Sequence, residues 1–208
     1  MRLQSLAREV ARQPDSAFAH DVNNYIDTAK RQVERFSALI ADLLDVSRIT
    51  SGKLTLDLEP VDFGAVVRDV SGRQRPQAEH AGSSLEVDAP SIMGRWDELL
   101  LEQTVASLLE NAIKYGLGRP IRVRLKATSE KARLTVEDEG IGIAAKDLSR
   151  IFGRFERAVS ERNYEGLGLG LYTCRAIVEA MDGTVAAQSE LGRGSKFTVE
   201  LPLSGPAV

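Results

Sequence analysis

One cysteine and two histidines among 208 residues exclude much at the outset. A lone Cys174 forbids an intrachain disulfide, and so few thiol and imidazole groups leave a structural zinc site without a ligand set. Cys174 falls within a helical pattern and has no nearby histidine to activate it, so it reads as filler rather than a reactive thiol. Long apolar runs are missing as well: Asp or Glu interrupts each within a few residues, and nothing reads as a membrane span. The opening MRLQSLAREVARQPD has no apolar core segment and is not a secretory signal. Basic charge is not in excess, since 27 Lys and Arg stand against 30 Asp and Glu, and the net charge of −3 argues against a nucleic acid partner. No Gly-x-x-x-x-Gly-Lys-Ser/Thr loop, repeat or low-complexity segment occurs. A soluble, cytoplasmic protein is expected.

Two kinds of periodicity divide the chain. Leu3, Leu6 and Val10 mark a short helix over Leu3 to Gln13, broken by Pro14-Asp15-Ser16. Val22, Ile26, Ala29, Val33, Phe36, Ile40 and Leu43 then step by fours and threes, a heptad seam on a second, longer helix. One short and one long helix cannot bury such a seam alone, so the spacing predicts a dimer forming a four-helix bundle. Ser51-Gly52 ends it, and KLTLDLEPVDF alternates like an edge strand that Pro60 stops. Helical residues follow from Phe63 to His80, then a strand Ser84 to Asp88 and a long helix opened by Trp96-Asp97 and running through Tyr115. Hairpins pair Ile121 to Ala127 with Ala132 to Glu137, and Thr184 to Gln188 with Lys196 to Leu201. This order predicts an α+β fold, a two-layer sandwich with helices on one sheet face. The expected parts are a dimerisation hairpin over 1–51, a linker and first strand over 52–60, and a second domain over 61–208.

Glycines mark the chemistry of that second domain. The stretch NYEGLGLGLYTCRAIVEAMDG sets Gly166, Gly168 and Gly170 at alternate positions before an apolar helical stripe. Glycines at a helix entrance let the backbone approach a ligand, and the free N–H groups there suit phosphate; a flexible loop before an ordinary helix fits the same residues. Their spacing is not the dinucleotide fingerprint. On the long helix, Ser107, Asn111 and Lys114 share one face. Such a set is either a ligand for Mg2+ with a phosphate-neutralising lysine, or a solvated helix end. Asp138-Glu139-Gly140-Ile141-Gly142-Ile143 follows a strand, as a plain tight turn or as one whose carboxylate accepts from an amine. Adenine offers that amine where guanine offers a carbonyl, so a fixed carboxylate would select adenine. Ile151-Phe152-Gly153-Arg154-Phe155-Glu156-Arg157 places two aromatics three apart on a short helix, with Arg154 and Arg157 available to anions. Ala158 to Glu165 is polar and patternless, and reads as a mobile lid.

An Asn-bearing helix, a DxGxG turn, a Phe-x-x-Phe segment and GLGLG before a helix thus follow in order, with Gly192-Arg193-Gly194-Ser195-Lys196-Phe197 as a fifth. Together they resemble the catalytic ATP-binding domain of sensor histidine kinases over about residues 61 to 203, and look like that family's N, G1, F, G2 and G3 boxes. The helix ending in Ile-Ala-Asp-Leu-Leu-Asp-Val-Ser-Arg-Ile, with SGKLTLDLEPVD after it, looks like the second helix of the family's dimerisation and phosphoacceptor domain and its junction. The resemblance implies a sandwich of the histidine kinase (GHKL) ATP-binding type, with ATP and Mg2+ as cofactors. It also implies a homodimer through residues 1–51 and a response regulator receiver domain as partner. By similarity, Asn111 would coordinate Mg2+, with Lys114 and Tyr115 near the phosphates. Asp138 would bond the adenine amino group, with Gly140, Gly142 and Ile143 shaping that side. Arg154 would be a lid residue that, with Lys114, stabilises phosphoryl charge. Phe155, Leu167, Leu169 and Ser195 complete the expected nucleotide contacts around Gly166, Gly168 and Gly170. Phosphoryl transfer needs mainly alignment and charge stabilisation, which such a set supplies.

Two features depart from the family pattern. Ser107 stands where another Asn usually precedes the metal-binding one, and where hydrolysing relatives use Glu as general base. Serine cannot do that job well, and Glu110 lies about 100° around the helix from Asn111, which favours a kinase over an ATPase. No segment resembles the phosphoacceptor box. His20-Asp21-Val22-Asn23-Asn24 sits on the second helix without a following Pro, and His80 is a still poorer acceptor. An N-terminally truncated piece of a longer kinase is therefore expected, lacking its own acceptor, with any membrane attachment in the missing upstream region. The alternatives are a non-catalytic ATP-binding regulator acting as a dimeric interaction module, and an ATPase of the same fold.

Overall fold

The computed structural model describes residues 55–156 and 167–206, together with Val22, Tyr25, Ile26, Thr28, Ala29, Gln32, Val33, Phe36 and Ile40. The chain divides into two compact units, Met1–Leu44 and Asp45–Val208. Every described position of the first unit is helical. Six members of the heptad seam are among them; Ile26 is buried, whereas Val33, Phe36 and Ile40 are exposed. Leu43, His20 and the helix expected over Leu3 to Gln13 lie outside the described residues.

In the second unit the order is β1 (Glu59–Asp62), α1 (Phe63–His80), β2 (Leu85–Asp88), β3 (Met93–Trp96), α2 (Glu98–Tyr115), β4 (Ile121–Ala127), β5 (Lys131–Asp138), α3 (Gly170–Ala180), β6 (Thr184–Glu190) and β7 (Gly194–Pro202). A five-stranded sheet runs β2-β4-β5-β7-β6, parallel between β2 and β4 and antiparallel elsewhere, while β1 and β3 form a separate antiparallel pair. Period-two alternation decides which face is covered. Ile121, Val123 and Leu125 of β4 and Ala132, Leu134 and Val136 of β5 are buried in one core with the apolar stripes of α1, α2 and α3. Helices on one face of a mixed sheet make the two-layer sandwich that the order of elements predicts. Trp96 closes the core at one end: it is fully buried, lies 5.4 Å from the Phe63 ring, and donates from Nε1 to the Pro202 carbonyl at 2.9 Å.

Three expectations change. The first strand is shorter and later than the alternation suggests, and it runs through Pro60 instead of stopping there. Pro60 lies opposite Arg95 in a two-stranded ladder, where a missing N–H is tolerated. Strand β3 was not foreseen, because only Trp96 of Met-Gly-Arg-Trp is buried and no alternation announces it. Residues 147–155 form successive turns, not a short helix. Arg150 there holds Asp147 at 2.7 Å and Glu156 at 2.8 Å, while the Gly153 N–H closes back on the Arg150 carbonyl.

The long helix begins where Asp97 caps it. One carboxylate oxygen accepts the Leu100 N–H at 3.1 Å, and the other accepts the Asp57 N–H at 3.0 Å, tying the entering chain to α2. Asp97→Ala strands both donors and is expected to cost about 1–2 kcal/mol in urea unfolding. An unchanged midpoint would refute the cap.

Candidate nucleotide-binding site

Helix α2 is the spine of the site. Its last turn meets the DxGxG turn that follows β5: the Ile141 N–H donates to the Tyr115 carbonyl at 3.1 Å. A Cβ at Gly140 would lie 1.9 Å from that same oxygen, so the turn seats on the helix only because residue 140 has no side chain. Gly142, at φ 66°, turns the chain back under the β6–β7 loop, and the Gly192 N–H donates to the Ile141 carbonyl at 2.7 Å.

Asp138 ends β5 against this turn, 5% exposed, with Oδ1 accepting the Gly140 N–H at 2.9 Å. Burial pushes its carboxyl above the ordinary carboxylate range; the backbone N–H groups of Gly140 and Ser195 oppose the shift, and the neighbouring Glu137 charge adds to it. Ser195 is opposite Asp138 in the β5–β7 register. Sequence reasoning missed Ser189, which joins the two loops. Its Oγ accepts the Ile143 N–H at 2.7 Å, donates to the Gly194 carbonyl at 2.6 Å and lies 3.1 Å from Ser195 Oγ. A serine on the half-buried face of β6, in line with Val185 and Ala187, was the available signal.

A second cluster forms one turn back along α2. Asn111 Nδ2 donates to the Ser107 carbonyl at 2.9 Å, which leaves Oδ1 as an acceptor. Ser107 Oγ is buried without a hydrogen-bond partner among the described residues, and a Cβ at Gly170 would come within 3.0 Å of it, so the start of α3 abuts this face of α2. That start is bare: Leu169 at the N-cap is apolar, no side chain caps the helix, and its first turn holds no acid. First-turn N–H groups without a cap make an anion site at the positive end of the helix. Gly168, at φ 72°, bends the chain into it. Arg154 stacks over the Tyr172 ring at 5.0 Å, which holds its guanidinium by the first turn of α3, and Lys114 Nζ lies 5.0 Å over the Tyr115 ring.

The structure thus gathers Asp138, Gly140, Gly142, Ile143 and Ser195 at one end, against the Tyr115 backbone carbonyl, and Asn111, Arg154, Gly168, Leu169 and Gly170 at the other, with Lys114 over the Tyr115 ring. It does not gather Phe155, which is 59% exposed with φ 59°; Phe152 is the aromatic of that segment that turns inward, 6.4 Å from Phe197 in an edge-on pair. Leu167 is half-buried just ahead of the bend. Gly166, Arg157 and the lid expected over Ala158 to Glu165 lie outside the described residues. His80 is exposed at the end of α1. Burial pushes the Cys174 thiol up to about 12, which keeps it protonated and inert.

A family model described as histidine kinase-, DNA gyrase B-, and HSP90-like ATPase matches residues 96–205, more than half of the chain. The chain belongs to that family. Its relatives include the sensor histidine kinase RcsC of Escherichia coli, 34% identical over 175 residues that make up 80% of this chain and 18% of that protein. RppB, a sensor histidine kinase of Synechocystis, is 32% identical over 194 residues, 91% of this chain and 43% of its own length. This chain therefore spans about a fifth of RcsC and less than half of RppB. Among solved structures, the Acinetobacter baumannii histidine kinase AdeS superposes with a TM-score of 0.70 at 27% identity, covering 97% of this chain and 95% of that one. Full-length ShkA, solved in complex with AMPPNP, superposes at 0.77 with 25% identity over 100% of this chain and 46% of its own. In this ATPase-family domain, the two clusters along α2 occupy the segments that resemble the N, G1 and G2 boxes.

Among the described residues no helix is long and apolar enough to cross a membrane, and no group of three or more His, Cys, Asp or Glu side chains is placed to hold a metal ion. The Asn111 amide oxygen still fits Mg2+, an ion that keeps several waters and shares its shell with phosphates instead of demanding a protein cage.

Proposed function

We propose that this chain is the ATP-binding catalytic region of a dimeric sensor histidine kinase. It transfers the γ-phosphoryl group of ATP to a histidine supplied by another segment, for onward transfer to a response regulator receiver domain. The carrying observation is the polarity of the site: a buried carboxylate acceptor against the last turn of α2, and a bare helix N-terminus beside an amide oxygen one turn back along the same helix. ATP has the same polarity, an amine donor at one end and a polyanion at the other.

Asp138 accepts from the adenine amino group, while Gly140, Gly142, Ile143 and Ser195 form the walls around it. Backbone N–H groups from Gly166 to Gly170, with Leu167 and Leu169 between them, hold the phosphates; Lys114 and Arg154 draw off developing charge, with Tyr115 beside them. Asn111 holds Mg2+, which when bound neutralises phosphoryl oxygens. No carboxylate stands at position 107 to activate water, so the site aligns a phosphoryl group without directing hydrolysis. The exposed Phe36 and Ile40 on the N-terminal helix suit coverage by a second copy of the seam.

Labelled ATP, Mg2+ and a peptide carrying an acceptor histidine test the reading. Acid-labile, base-stable label on the peptide is expected. Steady phosphate release without an acceptor would indicate an ATPase, and nucleotide binding without transfer a regulator. Sedimentation as a monomer at all concentrations would overturn the dimer.

A further inference from the structure

The uncovered face of the five-stranded sheet has no part in nucleotide handling, yet its charge is organised. Strand register sets its side chains in rows that cross the strands. In the central row Arg124, Thr135, Thr198 and Ala186 are successive partners on β4, β5, β7 and β6. Lys126 and Arg133 form the row on one side, continued by Glu200 on β7; Glu137, Lys196 and Gln188 form the row on the other. Short side chains between two rows of long ones leave a trough of about 440 Å3 running across the strands.

Four cations and no carboxylate line this trough. Two of them are partly neutralised from its margins, Arg124 by Glu137 at 3.6 Å and Arg133 by Glu200 at 2.6 Å. Among the described residues no ion pair reaches Lys126 or Lys196. Two lysines with no ion pair among the described residues thus flank a floor of two threonine hydroxyls and a methyl group, with Glu137 opposite Lys196 in the β5–β7 register.

We propose that this trough docks an extended acidic segment of a partner protein. Crossing four strands spans about 14 Å, the reach of roughly four extended residues. Glutamate or aspartate side chains on such a segment meet the ammonium groups of Lys126 and Lys196 on opposite walls, and the threonine hydroxyls donate from below. A continuous polyphosphate fits less well. Asp88, next to Arg124 in the β2–β4 register, closes one end of the trough, and Glu137 and Glu200 interrupt its margins. A peptide places separate carboxylates between these acids; a nucleic acid backbone must pass them at every step.

The test uses the full chain and a fluorescent peptide of alternating glutamate and alanine. Saturable binding that weakens steeply with salt is expected. Lys126→Glu removes one wall contact, and Ala186→Glu sets a carboxylate in the floor; each should weaken the peptide about tenfold while unfolding at the wild-type temperature. Wild-type affinity in both variants would overturn the proposal, as would tighter binding of a single-stranded DNA of equal charge.

Discussion

Asp138→Asn is expected to weaken ATP binding roughly a hundredfold in calorimetric titration while leaving the fold intact. The carboxylate has two acceptor oxygens, and the Gly140 N–H occupies one of them. An amide has one acceptor and one donor, so whichever way Asn turns, a donor meets either Gly140 or the adenine amino group. Stability should move the other way. Burial raises the Asp138 carboxyl above its ordinary range, so the folded protein binds this proton more tightly than the unfolded chain does. Stability therefore falls as pH rises through the window between the unfolded and folded values, and above that window the ionised carboxylate opposes folding. Asn removes that opposition, and the variant should melt no lower than the wild type. Affinity for ATP within twofold of wild type would sink the adenine assignment; a large drop in melting temperature would mean that Asp138 serves the fold instead.

Gly140→Ala should lower stability by about 3 kcal/mol in chemical denaturation, at the top of the range for overpacking. The new Cβ would lie 1.9 Å from the Tyr115 carbonyl oxygen, an atom of the helix backbone that cannot rotate aside. Relief requires the turn to lift off α2, which also breaks the hydrogen bond from Ile141 to Tyr115. Nucleotide affinity should fall with stability, because the same turn positions Asp138. Gly72 is the control: a Cβ there meets nothing within 4 Å, and Gly72→Ala, in the middle of α1, should be neutral or stabilising. Equal effects at positions 72 and 140 would refute the close-approach argument.

Much of this was legible because it is local. The helix over Phe63–His80 shows in its composition, the start of α2 in Asp97, and the alternation of β4 and β5 in their sequences. The glycine-rich segments and Asn111 stand out by residue type and order. Strand β3 did not, since four residues with one buried side chain carry no period. The segment with Arg154 and Phe155 misled for a related reason: its helical spacing is outweighed by Gly153 and by the clamp of Arg150 on Asp147 and Glu156, which hold it in turns. The periodicity marked both phenylalanines as equivalent, and only packing sends Phe152 inward and Phe155 out.

By itself, then, the sequence determined the class of fold, the resemblance that orders the five segments, and the residue types able to meet adenine, phosphate and Mg2+. Spacing and composition act over a few residues, and those properties are local. The tertiary structure alone decided which of these residues meet. Gly140 reaches Tyr115 across 25 positions, Ser107 reaches Gly170 across 63, and Ser189 joins Ile143 to Gly194 through a single hydroxyl. Those meetings depend on strand register and on how closely one backbone approaches another, quantities set by packing of the whole core and absent from any local stretch of the chain.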